Sequence, residues 1–116
     1  MVSTNSVEHL FDRKVPALRE TYEYLVSELQ KFGKLKVAPK QTSIHLEKNS
    51  GFAGVHPRST YFNLEFRTDY KIEDSRITRV QQLSARRFEH TVKLEKKSDV
   101  DEQLLNWLKD AYELSK

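Results

Sequence analysis

The feature that most constrains the fold is a change in hydrophobic period along the chain. Near both ends, apolar residues recur every three or four positions, which is typical of an amphipathic helix. Between Leu35 and Leu94, apolar and polar residues instead alternate at every second position, which is typical of strands covered on one face. The order is therefore helix, sheet, helix, without the alternating strand and helix units that build parallel sheets.

Both helical segments carry start and stop signals. Pro16 fits the first turn of a helix, where no backbone donor is needed, and Gly33 suits its end because glycine enters the left-handed region at low cost. Ser98 and Asp99 are both suited to cap the last helix. The predicted elements are a short N-terminal turn at 6–12, a helix at about 16–32, a sheet at about 35–96 and a helix at about 99–114.

Six stretches of the central segment have the period of a strand, and we predict that they form four or five strands. The stretches are LKV, TSIHLEK, FAGVH, TYFNLEFRT, ITRVQQL and RRFEHTVKLEK. NSG at 49–51 and PRS at 57–59 are turn signals between them. The prediction is an α+β two-layer sandwich, with an antiparallel meander sheet and both helices packed on one of its faces. Residues 1–116 are expected to form a single domain.

The absence of several residue patterns excludes much chemistry. The chain has no cysteine, which removes disulfides, thiol nucleophiles and sulfur-ligated metals. Its four histidines are not spaced as metal-ligand pairs, so no metal is expected. It has neither a P-loop nor a dinucleotide fingerprint, and no serine-nucleophile elbow. We therefore expect no cofactor and favour binding over catalysis.

The chain has no sequence signal for a membrane. No apolar run approaches the roughly 20 residues that span a bilayer, and the N-terminal MVSTNSVEHL lacks the apolar core of a signal peptide. The expected location is the cytoplasm, with no membrane partner.

Positive charge is concentrated in the middle of the chain. The net charge is only +3, but residues 34–97 carry fourteen Lys and Arg against seven Asp and Glu, whereas both ends are acidic. A basic sheet segment is suited to an anionic partner, such as a nucleic acid or a phosphorylated or acidic molecule. The alternative is an ordinary solvated surface.

The stretch FEHTVKL, residues 88–94, places a histidine in an apolar row. Phe88, His90, Val92 and Leu94 share one parity and hence one face of a strand. His90 either satisfies a buried polar group at the margin of the core or lines a pocket. The identity of its hydrogen-bond partner distinguishes the two interpretations, because an unpaired buried polar group costs about 1–3 kcal/mol.

Several segments carry a resemblance to a known family. LRETYEYL, FGKLKVAPKQTSIHL, FAGVHPR and FEHTVKLEKKSDVDEQLLNWLKDAY resemble a family of small bacterial domains of unknown function, family 5655. The resemblance spans nearly the whole chain and includes no catalytic signature. It implies the domain boundaries and leaves the function open.

The resembling segments PK, FAGVHPR and RRFEH contain the candidate ligand site. We predict that it is formed by Lys40, Ser43, His56, Arg58, Arg87 and His90. Arginine can hold a carboxylate or phosphate through two hydrogen bonds, and histidine can donate or accept. Arg87 and His90 differ in parity, so both can line one site only if Arg87 lies in a bulge or before the strand.

Three classes of function stay open at this point. The first is a non-catalytic module that binds an anionic ligand through the basic segment. The second is an interaction domain that forms a homodimer or docks through a sheet edge or through Tyr61 and Tyr70. The third is an enzyme that uses His56 or His90 as an acid or base.

Overall fold

The computed structural model describes residues 6–12 and 14–115. Residues 1–5, 13 and 116 of the expected 1–116 domain lie outside this description. The helices are α1 (Val7–Phe11), α2 (Pro16–Gln30) and α3 (Glu102–Leu114), with a 3-10 turn at Lys97–Asp99. The strands are β1 (Lys36–Pro39), β2 (Ile44–Glu47), β3 (Gly51–Pro57), β4 (Phe62–Thr68), β5 (Ile77–Ser84) and β6 (Arg87–Leu94).

The end of α2 is fixed by a glycine and a tyrosine. Gly33 has a φ of +140°, a conformation that other residues rarely adopt. A Cβ at this position would lie 2.8 Å from the Tyr112 hydroxyl oxygen. That hydroxyl donates to the Lys34 carbonyl at 2.7 Å. Gly33 therefore allows the chain to turn after α2 and leaves space for the Tyr112 side chain of α3.

The last helix begins later than the sequence suggested. Asp101, rather than Ser98 or Asp99, caps α3 by accepting the Leu104 N–H at 3.0 Å. Asp99 instead accepts the N–H groups of Glu95 and Lys96, at 2.8 and 3.2 Å. Its carboxylate thus orders the 3-10 turn before α3, and this use of Asp99 moves the helix start to Glu102.

The sheet has six antiparallel strands, against the four or five expected, because each of the six alternating stretches forms its own strand. Strands β1 to β4 follow one another as a meander, but β6 lies between β4 and β5. The connection at 69–76 must therefore cross β6 to reach β5. It does so on the side of the helices, where Ile72 is buried in the core.

One face of the sheet, which we call the covered face, packs against both long helices as predicted. Its core residues come from β2, β3, β4 and β6: Ile44, Leu46, Val55, Phe62, Leu64, Phe66, Val92 and Leu94. The helices contribute Leu18, Leu25, Leu29, Leu104 and Leu108. Trp107 is half-buried and stacks on Phe66, with ring centroids 6.1 Å apart. Burial of this apolar surface is the main stabilising contribution.

The opposite side of the sheet, which we call the open face, carries polar side chains. Its residues on β3, β4 and β6 include Gly54, His56, Asn63, Glu65, Arg67, Glu89, Thr91 and Lys93. All of them are half-buried or exposed. The alternation between the two faces follows directly from the period of two in the sequence.

Candidate functional site

The structure separates the six residues predicted for one ligand site. Lys40, Ser43, His56 and Arg58 lie at the end of the sheet where β1 leads into β2 and β3 leads into β4. Arg87 begins β6 at the opposite end. His56 lies on the open face and His90 on the covered face, because their partners Asn63 and Phe66 differ in parity. The expectation that both histidines share one site is therefore corrected.

The backbone explains the placement of the four residues at the first end. The Lys40 N–H donates to the Ser43 carbonyl at 2.7 Å and closes the β1–β2 turn. The Arg58 N–H donates to the Tyr61 carbonyl at 2.7 Å and closes the β3–β4 turn. Ser43 is buried, whereas the side chains of Lys40 and Arg58 are exposed at the two tips. The two cations are thus presented to solvent on neighbouring turns.

His90 is a core residue with one specific partner. The ring has no exposed surface and stacks on Phe66, with centroids 5.4 Å apart. Its Nε2 accepts the Ile72 N–H at 2.9 Å, so the proton of the neutral ring is on Nδ1. Nδ1 is buried and has no hydrogen-bond partner among the described residues.

Burial lowers the pKa of His90, because it disfavours the charged ring. An interaction with the backbone carbonyl of Phe66 raises the pKa by less than burial lowers it. The neutral ring is also the form that accepts the Ile72 N–H. Histidine thus occurs in the apolar row because the crossing connection brings a backbone donor into the core, and that donor needs an acceptor.

On the open face, His56 contacts a carboxylate above a glycine. The His56 Nε2 forms a short contact with the Glu65 carboxylate on the adjacent strand. A Cβ on Gly54 would be 3.5 Å from the same nitrogen, an ordinary van der Waals contact, so the ring lies directly over this residue. A depression of about 210 Å³ lies here, lined also by His45, Arg67 and Glu89. We call it the Gly54 hollow.

The end of the sheet with the β1–β2, β3–β4 and β6–α3 connections is the basic end. Its cations are Lys40, Arg58, Lys93, Lys96 and Lys97. The three connections are neighbours because β2 pairs with β3 and β4 pairs with β6. In the described chain, none of these cations forms a salt bridge. The Lys93 Nζ lies 4.6 Å above the Tyr61 ring centroid.

Sequence reasoning missed part of each arrangement. Glu65 contacts His56, and Glu89 accepts a hydrogen bond from Arg67 Nε at 3.2 Å, so neither carboxylate pairs with Arg58 or Arg87. The lysines of KLEKK, residues 93–97, were omitted from the site. The position of Lys96 and Lys97 directly after the last strand was a usable signal, but only the order of β6 beside β4 brings them near the turn that carries Arg58.

Neither a metal-binding cluster nor a membrane-spanning helix occurs in the described residues. Within 6–12 and 14–115, no three or more His, Asp or Glu side chains are arranged to hold a metal ion. The helices of the same ranges are all too short or too polar to cross a membrane.

The fold and the site define a small α+β domain with one covered sheet face and a basic end. The chain belongs to the family described as Domain of unknown function (DUF5655), whose model matches residues 7–115. Comparisons with curated proteins and with solved structures find no match.

Proposed function

We propose that this protein is a binding module that contacts a polyanion, best matched by the phosphate backbone of a nucleic acid, through the basic end. One observation carries this proposal. Four cations on three neighbouring connections, together with Lys93 near the end of β6, lie at the same end of the sheet, and among the described residues they have no acidic partner in a salt bridge.

Unpaired surface cations favour a polyanion for an electrostatic reason. A lysine in a salt bridge must break that contact before it can bind a phosphate. An unpaired lysine has no such contact to break, and its binding to a phosphate releases a counterion from the nucleic acid, which favours association. Glu95, Asp99 and Asp101 also lie at this end, but the Asp99 carboxylate already accepts two backbone N–H groups and Asp101 is paired with Arg76. The cations therefore outnumber the acids, although the whole chain is only weakly positive.

The arrangement of the cations favours a chain of phosphates over a single one. Lys40, Arg58 and Lys97 are exposed on three separate connections. A single phosphate is best held by donors that converge on one point, whereas a nucleic-acid backbone presents charges at regular intervals. Exposed hydroxyls on the β3–β4 turn, Ser59 and Thr60, add phosphate donors beside Arg58.

The test is an equilibrium titration of fluorescently labelled single-stranded and double-stranded oligonucleotides, followed by anisotropy at several salt concentrations. We expect the logarithm of the binding constant to fall with the logarithm of salt with a slope of about −3.5 to −4.5 if all five cations contact phosphates. The triple variant Lys40→Gln, Arg58→Gln, Lys97→Gln should bind more weakly and lower the magnitude of the slope by about 2 to 3.

The matched control removes three exposed cations elsewhere, as Lys34→Gln, Arg86→Gln, Lys109→Gln. It has the same net charge as the first triple variant. The proposal fails if neither oligonucleotide binds, or if both triple variants lose affinity equally, since the effect would then come from net charge and not from the basic end.

A second candidate function is acid–base catalysis at the Gly54 hollow. His90 has no exposed surface, so of the two histidines predicted as an acid or base only His56 can reach a substrate. An imidazole oriented by a carboxylate is the arrangement used by general acids and bases. A panel of phosphate and carboxylic ester substrates tests this candidate. Any turnover that is unaffected by both His56→Gln and Glu65→Gln would exclude it.

A further inference from the structure

A groove of about 350 Å³ lies at the end of the sheet opposite the basic end. It forms where the β2–β3 hairpin, the end of β4 and the β5–β6 turn meet the last turn of α3. The residues that line it include the apolar Phe52, Leu83 and Leu114 and the basic Arg67 and Arg87. We call it the arginine groove.

The two arginines retain unused donors. Arg67 bonds Glu89 through Nε, and its two terminal nitrogens have no partner in the described chain. Arg87 donates from Nη1 to the Arg86 carbonyl and has no salt bridge within the described ranges. Among the described residues that line the groove, none is acidic. Because a guanidinium has five donors in a planar fork, this pair can hold a carboxylate through several charge-assisted bonds.

The apolar part of the groove is exposed beside these charges. Leu83 is 45% exposed and occupies the irregularity in β5 between Gln82 and Ser84, where an extra residue interrupts the pairing with β6. Leu114 is half-buried at the end of α3. An exposed leucine next to two arginines is suited to a ligand that is partly apolar, because small-molecule sites combine apolar walls with a few polar groups.

We propose that the arginine groove binds a small organic anion, with its carboxylate on Arg67 and Arg87 and its apolar group on Leu83 and Leu114. The volume lies at the lower end of the range for small-molecule sites, which is about 300–1,000 Å³. The C-terminal end of α3 bears partial negative charge, so it favours the apolar group of the ligand at Leu114 and the carboxylate at the arginines.

The test is an NMR titration of the ¹⁵N-labelled protein with hexanoate. We expect saturable shifts of the amide signals of Leu83, Ser84, Arg87 and Leu114, with a dissociation constant of about 1 mM or below. Acetate lacks the apolar group and hexan-1-ol lacks the charge, so both should bind about tenfold more weakly or not at all. Arg87→Gln should weaken hexanoate binding at least about tenfold.

Arg86→Gln is the matched control, because the adjacent arginine is exposed and does not line the groove. It should leave hexanoate binding unchanged, and Leu83→Ser should weaken it in a protein whose unfolding midpoint is unaltered. The proposal is overturned if hexanoate gives no saturable shift up to about 10 mM, or if the Arg86 and Arg87 variants lose affinity equally. Oligonucleotide binding at the other end should not respond to Arg87→Gln, so the two proposals can fail separately.

Discussion

The covered and open faces of the sheet use the same side chain in different ways. His90 is fully buried, stacks on Phe66 and accepts one backbone N–H. The side chain of His56 is 36% exposed and contacts the carboxylate of Glu65. The difference shows that the neighbours of a histidine, and not its presence in a strand, decide whether it can meet a ligand. On the covered face the partner is part of the fold, whereas on the open face it borders a hollow.

The largest expected contrast between the faces comes from truncating a core side chain. Phe66→Ala removes a fully buried ring that contacts both His90 and Trp107, and it should lower the free energy of unfolding by about 3–5 kcal/mol. Chemical denaturation with an unchanged slope measures the loss.

Asn63→Ala is the open-face control on the same strand. Asn63 is half-buried, so its truncation should change stability by less than about 1 kcal/mol. If both substitutions cost the same, the distinction between a covered and an open face does not hold.

The contrast between faces was predictable from the sequence because it depends on local period. Phe62, Leu64 and Phe66 alternate with polar residues, and the two apolar stripes of the helices need one surface to cover. The α+β arrangement with both helices on one face follows from these patterns alone. The start of α2 at Pro16 and the turn at Gly33 were likewise predictable, because each follows from the backbone conformation that the residue itself favours.

The long-range pairing could not be predicted, because it depends on the order of the strands. No sequence pattern indicates that β6 lies between β4 and β5. That order brings Ile72 under His90 and places KLEKK beside the turn that carries Arg58. Hydrophobic period and motif spacing therefore could not predict the partner of His90 or the composition of the basic end. They did show that Arg87 and His90 differ in parity along the strand.

A smaller effect is expected when the polar contact of the covered face is removed. His90→Leu introduces an apolar side chain of similar length and leaves the buried Ile72 N–H without its acceptor. The free energy of unfolding should fall by about 1–3 kcal/mol. Part of this loss is offset because the buried, unpartnered Nδ1 is also removed. The measurement is the free energy of unfolding at about pH 8, where the native ring is neutral.

The pH dependence of stability provides a further test of the contact between His90 and the Ile72 N–H. Since burial lowers the pKa of His90 in the fold, the unfolded chain binds more protons than the native chain at a pH between the two pKa values. The native contribution is complete above about pH 6.5 and is lost as the pH falls through the lower, folded value. The stability difference between the parent and His90→Leu should therefore shrink on acidification. A difference that stays constant or grows would contradict the role of the neutral ring.

The smallest effect belongs to the open face. Glu65→Gln replaces the carboxylate beside His56 by an amide of the same shape, and the side chains of His56 and Glu65 are 36% and 26% exposed. Surface ion pairs contribute about 0–1 kcal/mol, because water screens the charges and the side chains lose freedom when they pair. We therefore expect a change in unfolding free energy below about 1 kcal/mol, and less at high salt. A loss as large as that of His90→Leu would mean that the contact between His56 and Glu65 is needed for the stability of the sheet. It would then argue against the Gly54 hollow as a site where His56 is free to act on a ligand.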